Sequence, residues 1–207
     1  QELFDTHLHP GNAIALRTAT ERGKLVIALP AARELPWLTP SPVPAHAKRI
    51  TDAQQSLLPS GAQEAVSDNG ELRRHWGAGL FVVDTPRSQL ASGWIGGRTI
   101  DTSGASVAVQ TPNATVAVQS MDDKPLKESS DIFVSWAARA VTTSANRLPF
   151  LSEPLAGTVT LTARPGLKVY SLGPKGEARP VAFEYKDGRY LLDLGAVAAS
   201  THWLRIR

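Results

Sequence analysis

The chain contains no cysteine. That excludes disulfide staples, thiolate metal sites and a cysteine nucleophile together, so the fold must be held by packing and hydrogen bonds alone. Long apolar runs are missing too. The longest, residues 25–29, is strand length, far short of the roughly 20 apolar residues a membrane-crossing helix needs. No membrane partner is expected from it. Blocks of like charge are also lacking: 22 Lys and Arg against 19 Asp and Glu leave a net charge of +3, and Arg73-Arg74 is the densest basic pair. A nucleic-acid footprint would need a basic stripe, so a solvated basic surface is the better reading and no nucleic-acid partner is expected. The first residue is Gln1, with no charged and apolar leader behind it, so a signal peptide is expected to be absent or already removed.

What is present is ordinary for a globular chain. With 207 residues, 42% hydrophobic and 20% charged, it is long enough for one large all-β domain or a medium domain with an appendage. Three textures follow one another. In residues 1–30, Asn12 can cap a helix over 13–22, Gly23 suits its C-terminal end, and residues 24–29 read as a buried strand stopped by Pro30. Residues 30–65 are interrupted by Pro30, Pro36, Pro40, Pro42, Pro44 and Pro59, which forbid helix over 35–44 and predict an extended connector, with one short helix from Thr51 to Leu58. From residue 66 the pattern turns to β. Asn69-Gly70 is a hairpin signal, and apolar alternation marks strands at 80–84, 107–109, 115–119, 131–139, 157–162, 167–172, 181–185, 189–194 and 201–207.

About ten short strands without helical crossovers predict a mainly β fold, an antiparallel β-sandwich or jelly roll, with a short helical and proline-rich N-terminal segment. The domain expectation is an N-terminal helix, strand and connector over 1–65 and a β-sandwich over 66–207.

Candidate chemistry is sparse. His7 and His9 stand in an Asp-x-His-x-His string that resembles the metal-binding opening of amidohydrolases, where alternate strand residues face one metal. Only His46, His75 and His202 remain to complete such a site, and no βα repeats carry them, so a metal there is the weakest reading and no cofactor is expected. There is no Gly-x-Ser-x-Gly elbow, and the glycines of Gly93-Trp94-Ile95-Gly96-Gly97 fit neither nucleotide-binding spacing. Paired carboxylates, the requirement for glycoside hydrolysis, are the one catalytic option left, with Glu71, Asp84 and Glu153 at predicted strand ends as candidates. Of the five tryptophans, Trp136 and Trp203 lie in alternating apolar runs and are expected in the core. Trp76 and Trp94 flank glycines and are the candidates for stacking on a sugar face.

The string V-S-D-N-G-E-L-R-R-H-W-G-A-G-L-F-V-V-D-T-P-R-S-Q over 66–89, followed by A-S-G-W-I-G-G over 91–97, resembles the opening of the β-sandwich that follows the catalytic TIM barrel in a group of bacterial glycoside hydrolases of the cellulase-like superfamily. Asn69 stands where that pattern usually has Thr, and Arg74-His75 where it has an aromatic and an acid. Residues 116–126, 129–141 and 153–159 are similar to later parts of the same domain, and residues 4–16 to a segment near the end of the barrel. The resemblance implies that residues 1–65 are a barrel remnant and connector, that the family's catalytic acids lie upstream of Gln1, and that the protein is extracellular or periplasmic.

Three functions are then expected in order: an accessory or glycan-binding module of a glycoside hydrolase, a compact free-standing glycosidase using a carboxylate pair, and a metal-dependent hydrolase using His7 and His9. The partners expected are a polysaccharide or oligosaccharide and either a catalytic TIM barrel or a second copy.

Overall fold

The computed structural model describes residues 63–67, 69–144 and 147–207, and for 147–148 the backbone alone. The expected helices, the strand at 24–29, the proline-rich connector, Trp37, His7, His9 and His46 lie outside the described residues. Contacts divide the chain into two compact units, 1–70 and 71–207. In the first, the described part is strand β1 (Glu64–Val66) and a tight turn. There Gly70 N–H donates to the Ser67 carbonyl at 2.9 Å and the Ser67 hydroxyl to Asn69 Oδ1 at 2.7 Å, with Gly70 at φ 75°. Only a residue without Cβ takes that conformation cheaply, which is why Asn-Gly signals a turn.

The second unit is mainly β, and among the described residues it has no helix. Its strands are β2 (Leu72–His75), β3 (Leu80–Asp84), β4 (Ser88–Gly93), β5 (Arg98–Asp101), β6 (Ala105–Val109), β7 (Ala114–Ser120), β8 (Ile132–Ala138), β9 (Ala140–Ser144), β10 (Arg147–Ser152), β11 (Gly157–Thr162), β12 (Val169–Leu172), β13 (Ala178–Pro180), β14 (Glu184–Lys186), β15 (Arg189–Asp193) and β16 (Trp203–Ile206). One sheet runs β2-β3-β4-β7-β8-β16-β12-β13, a second β14-β15-β11-β6-β5, and β10 pairs with β9 alone. The pairings are antiparallel, as expected for hairpin-connected strands.

Period-2 alternation explains how the two sheets find each other. Val116 and Val118 of β7 and Ile132, Val134 and Trp136 of β8 share one buried cluster with Val107 of β6, Val159 and Leu161 of β11, and Tyr190 and Leu192 of β15. Each fully buried side chain of this size contributes roughly 1.5–3 kcal/mol, so this face-to-face cluster supplies most of the driving force. Tyr190 is 0% exposed yet its hydroxyl is not orphaned: it receives Leu167 N–H at 2.9 Å and donates to the Arg164 carbonyl at 3.0 Å.

One core assignment is corrected. Trp136 is buried as expected, but Trp203 is 41% exposed. Trp203 opposes Ser135 while Leu204 opposes Val134, so the buried parity of β16 falls on Leu204 and Ile206 and turns Trp203 outward. The β9–β10 hairpin is a further addition to the sequence reading, with Val141, Phe150 and Leu151 exposed on it.

Candidate functional site

Strand register sorts the candidate residues to two ends of the larger sheet. Leu80, Gly93, Ala114 and Ala138 stand opposite one another across β3, β4, β7 and β8. The turn carrying Trp76, the start of the Gly93–Gly97 loop and the crossover at Arg139 therefore gather at that end. Asp84 lines up instead with Gln89, Val118 and Val134. Val134 is four residues from Ala138, roughly 13 Å at about 3.3 Å per residue. The fold brings Trp76, Trp94 and Glu153 to one end and leaves Glu71 and Asp84 at the other.

Trp94 has the most distinctive surroundings. Its side chain is 58% exposed, while the next residue, Ile95, is fully buried and anchors the loop in the core. Its N–H donates to the Gly79 carbonyl at 3.1 Å, and Gly79 N–H donates to the Trp76 carbonyl at 2.9 Å. The indole lies against the Cα of Gly79 so closely that a Cβ there would sit 2.4 Å from Trp94 Cδ1. Gly93 approaches from behind: a Cβ on it would fall 1.9 Å from the Gly79 carbonyl oxygen. Two glycines thus form a backbone seat against which an apolar ring lies exposed to solvent. Trp76, on the same turn, is half-buried, and the turn is tied by Ala78 N–H donating to His75 Nδ1 at 3.0 Å.

Glu153 borders this end. Its N–H donates to the Arg139 carbonyl at 2.8 Å, and its carboxylate forms a surface ion pair with Arg139 at 3.8 Å. The adjoining loop is pinned by Thr111, which is buried and whose hydroxyl accepts Ala156 N–H at 3.0 Å.

Asp84 is engaged in structure. Oδ2 accepts Ser103 N–H at 2.9 Å, and Oδ1 accepts the Ser103 hydroxyl at 2.6 Å and Gln89 Nε2 at 3.2 Å. Gln89, 3% exposed, also donates to Ser103 Oγ at 2.9 Å and accepts the Thr102 hydroxyl at 2.7 Å. This network straps the β3–β4 hairpin of one sheet to the β5–β6 turn of the other. Sequence reasoning missed Gln89, Thr102 and Ser103; the available signal was Gln89 itself, an amide at an alternation position reserved for core side chains. Glu71 is the backbone partner of Asp84, whose N–H donates to the Glu71 carbonyl at 2.8 Å. These two acids are neighbours across β2 and β3, whereas Glu153 stands at the far end from both. A glycosidase pair needs carboxyl groups about 5–9.5 Å apart, which the register denies to Asp84 with Glu153.

Two other carboxylates have shifted acidity. Ser129 and Ser130, with Ser120, donate to Asp122 and hold its carboxyl well below the usual carboxylate range, fixing the loop between β7 and β8. Arg205 grips Asp131 in a two-pronged contact at 2.8 and 2.6 Å and lowers that acid too, against the opposing effect of burial. Among the described residues no group of three His, Cys, Asp or Glu side chains could hold a metal ion.

The site and fold define a mainly β protein with an aromatic display at one end of its sheets. Comparison with protein-family models, curated proteins and solved structures finds no match.

Proposed function

We propose that this chain is a carbohydrate-active protein, an accessory module of a glycoside hydrolase that binds a polysaccharide or oligosaccharide through the Trp94 end of its sheets. The observation that carries this reading is the seat of Trp94: a large apolar ring, more than half exposed, lying against the backbone of Gly79. Sugar rings present flat C–H faces that a tryptophan covers well. A tryptophan has only two side-chain torsions and so loses little rotamer freedom on binding. Covering ~60 Å² of apolar surface at ~25 cal/mol per Å² contributes about 1.5 kcal/mol, roughly tenfold in affinity per sugar stacked. The resemblance over 66–97 supports the same class, and the catalytic barrel is the partner it implies.

The test is native affinity electrophoresis across a panel of polysaccharides. Retardation in one gel and its loss in Trp94→Ala, with a smaller loss in Trp76→Ala, is the expected result. A nitrophenyl glycoside panel run in parallel, with and without chelator, addresses catalysis. Hydrolysis that disappears in Glu71→Gln or Asp84→Asn would replace the binding reading with an enzymatic one.

A further inference from the structure

The outer face of the second sheet carries a concave surface of its own. Thr160, Glu184, Lys186, Asp187, Arg189 and Leu191 line an open cleft of about 390 Å³ on β11, β14 and β15. Register fixes which side chains share this face. Lys186 stands directly opposite Arg189, Glu184 opposite Leu191, and Leu191 opposite Thr160. Tyr190 and Leu192 are buried on the reverse side, so Arg189 and Leu191 must point outward.

Lys186 and Arg189 are two cations placed opposite each other, an arrangement that costs stability in a sheet. Among the described residues neither makes an ion pair, although Glu184 and Asp187 border the same cleft. The hairpin that opposes them is braced on its reverse side and at its turn. Its turn has Asp187 at φ 50° and Gly188 at φ 77°, the two positive angles of a tight two-residue connection. On the reverse side the Tyr185 and Tyr190 rings pack at 4.6 Å, and the Tyr190 hydroxyl is tied to the backbone at both Leu167 and Arg164. A repulsive pair built on a braced hairpin, beside a half-exposed Leu191 and a threonine hydroxyl, has the parts of a site for a planar anion attached to an apolar-faced, hydroxylated ring.

We infer that this cleft is a subsite for an acidic saccharide, with the carboxylate of a uronic acid between Lys186 and Arg189, its ring on Leu191 and its hydroxyls toward Thr160 and Glu184. Arginine matches a carboxylate with two parallel donors, which favours this anion over a spherical one. The saccharide part rests on the glycan reading above; the anion part rests on the cleft alone.

The experiment is a calorimetric and NMR titration with a galacturonate trisaccharide, the matching neutral galactose trisaccharide, and inorganic sulfate. The acidic trisaccharide should bind, shift the amides of Thr160 and Leu191, and weaken as salt rises. Lys186→Gln and Arg189→Gln should each lower its affinity by roughly tenfold, the loss of one charge-assisted contact. Glu184→Gln, which keeps an acceptor for the hydroxyls and removes a like charge near the carboxylate, should leave it equal or tighter. All three positions are exposed, so unfolding midpoints matching the wild type establish that the variants are folded. Equal binding of the acidic and neutral trisaccharides, no change in the two cation variants, or equal binding of sulfate would overturn the inference. Trp94→Ala separates the readings: acidic-trisaccharide binding that survives it, alongside no neutral polysaccharide bound at Trp94, sinks the function proposed above and leaves this subsite standing.

Discussion

The seat beneath Trp94 can be tested with three single-methyl substitutions. Gly93 has φ 111° and a Cβ there would lie 1.9 Å from the Gly79 carbonyl oxygen, with Leu80 Cα at 3.5 Å. That obstacle is the backbone of the turn before β3, held by Gly79 N–H donating to the Trp76 carbonyl, and it has no side-chain rotation to relieve the contact. Gly93→Ala should incur the ~1–2 kcal/mol of an unfavourable positive φ plus the ~1–3 kcal/mol typical of overpacking, about 2–5 kcal/mol together. Against a total stability of roughly 5–15 kcal/mol, the loss is large. Gly97 is the control: its φ is 72°, but a Cβ on it meets nothing within 4 Å. Gly97→Ala should therefore incur the backbone part alone, ~1–2 kcal/mol. At Gly79 the 2.4 Å neighbour is the Trp94 side chain, which can swing out. Gly79→Ala should thus fall between the other two in stability, yet lose the glycan retardation proposed for the Trp94 end. Urea unfolding followed by circular dichroism measures the three midpoints. Equal midpoints for Gly93→Ala and Gly97→Ala would refute the close-approach argument, and full glycan retardation by Gly79→Ala would refute the seat.

Two further predictions follow from burial and charge. Trp136→Ala, at a 4% exposed position, should destabilise by about 3–5 kcal/mol, whereas Trp203→Ala, at 41%, should shift the urea midpoint much less; reversal of that order would show the β16 parity to be wrong. Asp131 is lowered by Arg205 in the folded chain, so its contribution is complete above the unfolded carboxylate range and fades as pH falls through the folded value. Arg205→Leu should cost about 1–2 kcal/mol at pH 7 and progressively less in acid, and a cost independent of pH would exclude the ion pair as its source.

The β-rich part was largely legible because its signals are local. Alternation in β7, β8, β11 and β15 reports directly which side is buried, and Asn69-Gly70 and Asp187-Gly188 mark turns that backbone sterics require. Strands β4 and β5 were not read from the sequence, and β9, β10 and β13 were not legible in it. Their residues are exposed where described, so no alternation develops, and Pro149 and Pro180 argue against strand unless the strand lies at an edge. Trp203 misled for a related reason: in Thr201-His202-Trp203-Leu204 both parities contain bulky residues, and only pairing with β8 chooses between them. Trp94 could be proposed from its glycines, but its nearness to Gly79 is a contact between the turn before β3 and the loop after β4 that no single segment encodes. The same holds for Asp84, an acid at a strand end by sequence and a strap between sheets in the fold.

The central claim is that the exposed indole of Trp94 meets sugar, and fluorescence titration of wild type and Trp94→Ala with the polysaccharide that retards the chain tests it most directly. The wild type should show a saturable change that vanishes in the variant while the variant's unfolding midpoint stays unchanged. Identical saturation curves for the two proteins, or no response to any polysaccharide in the panel, would contradict it.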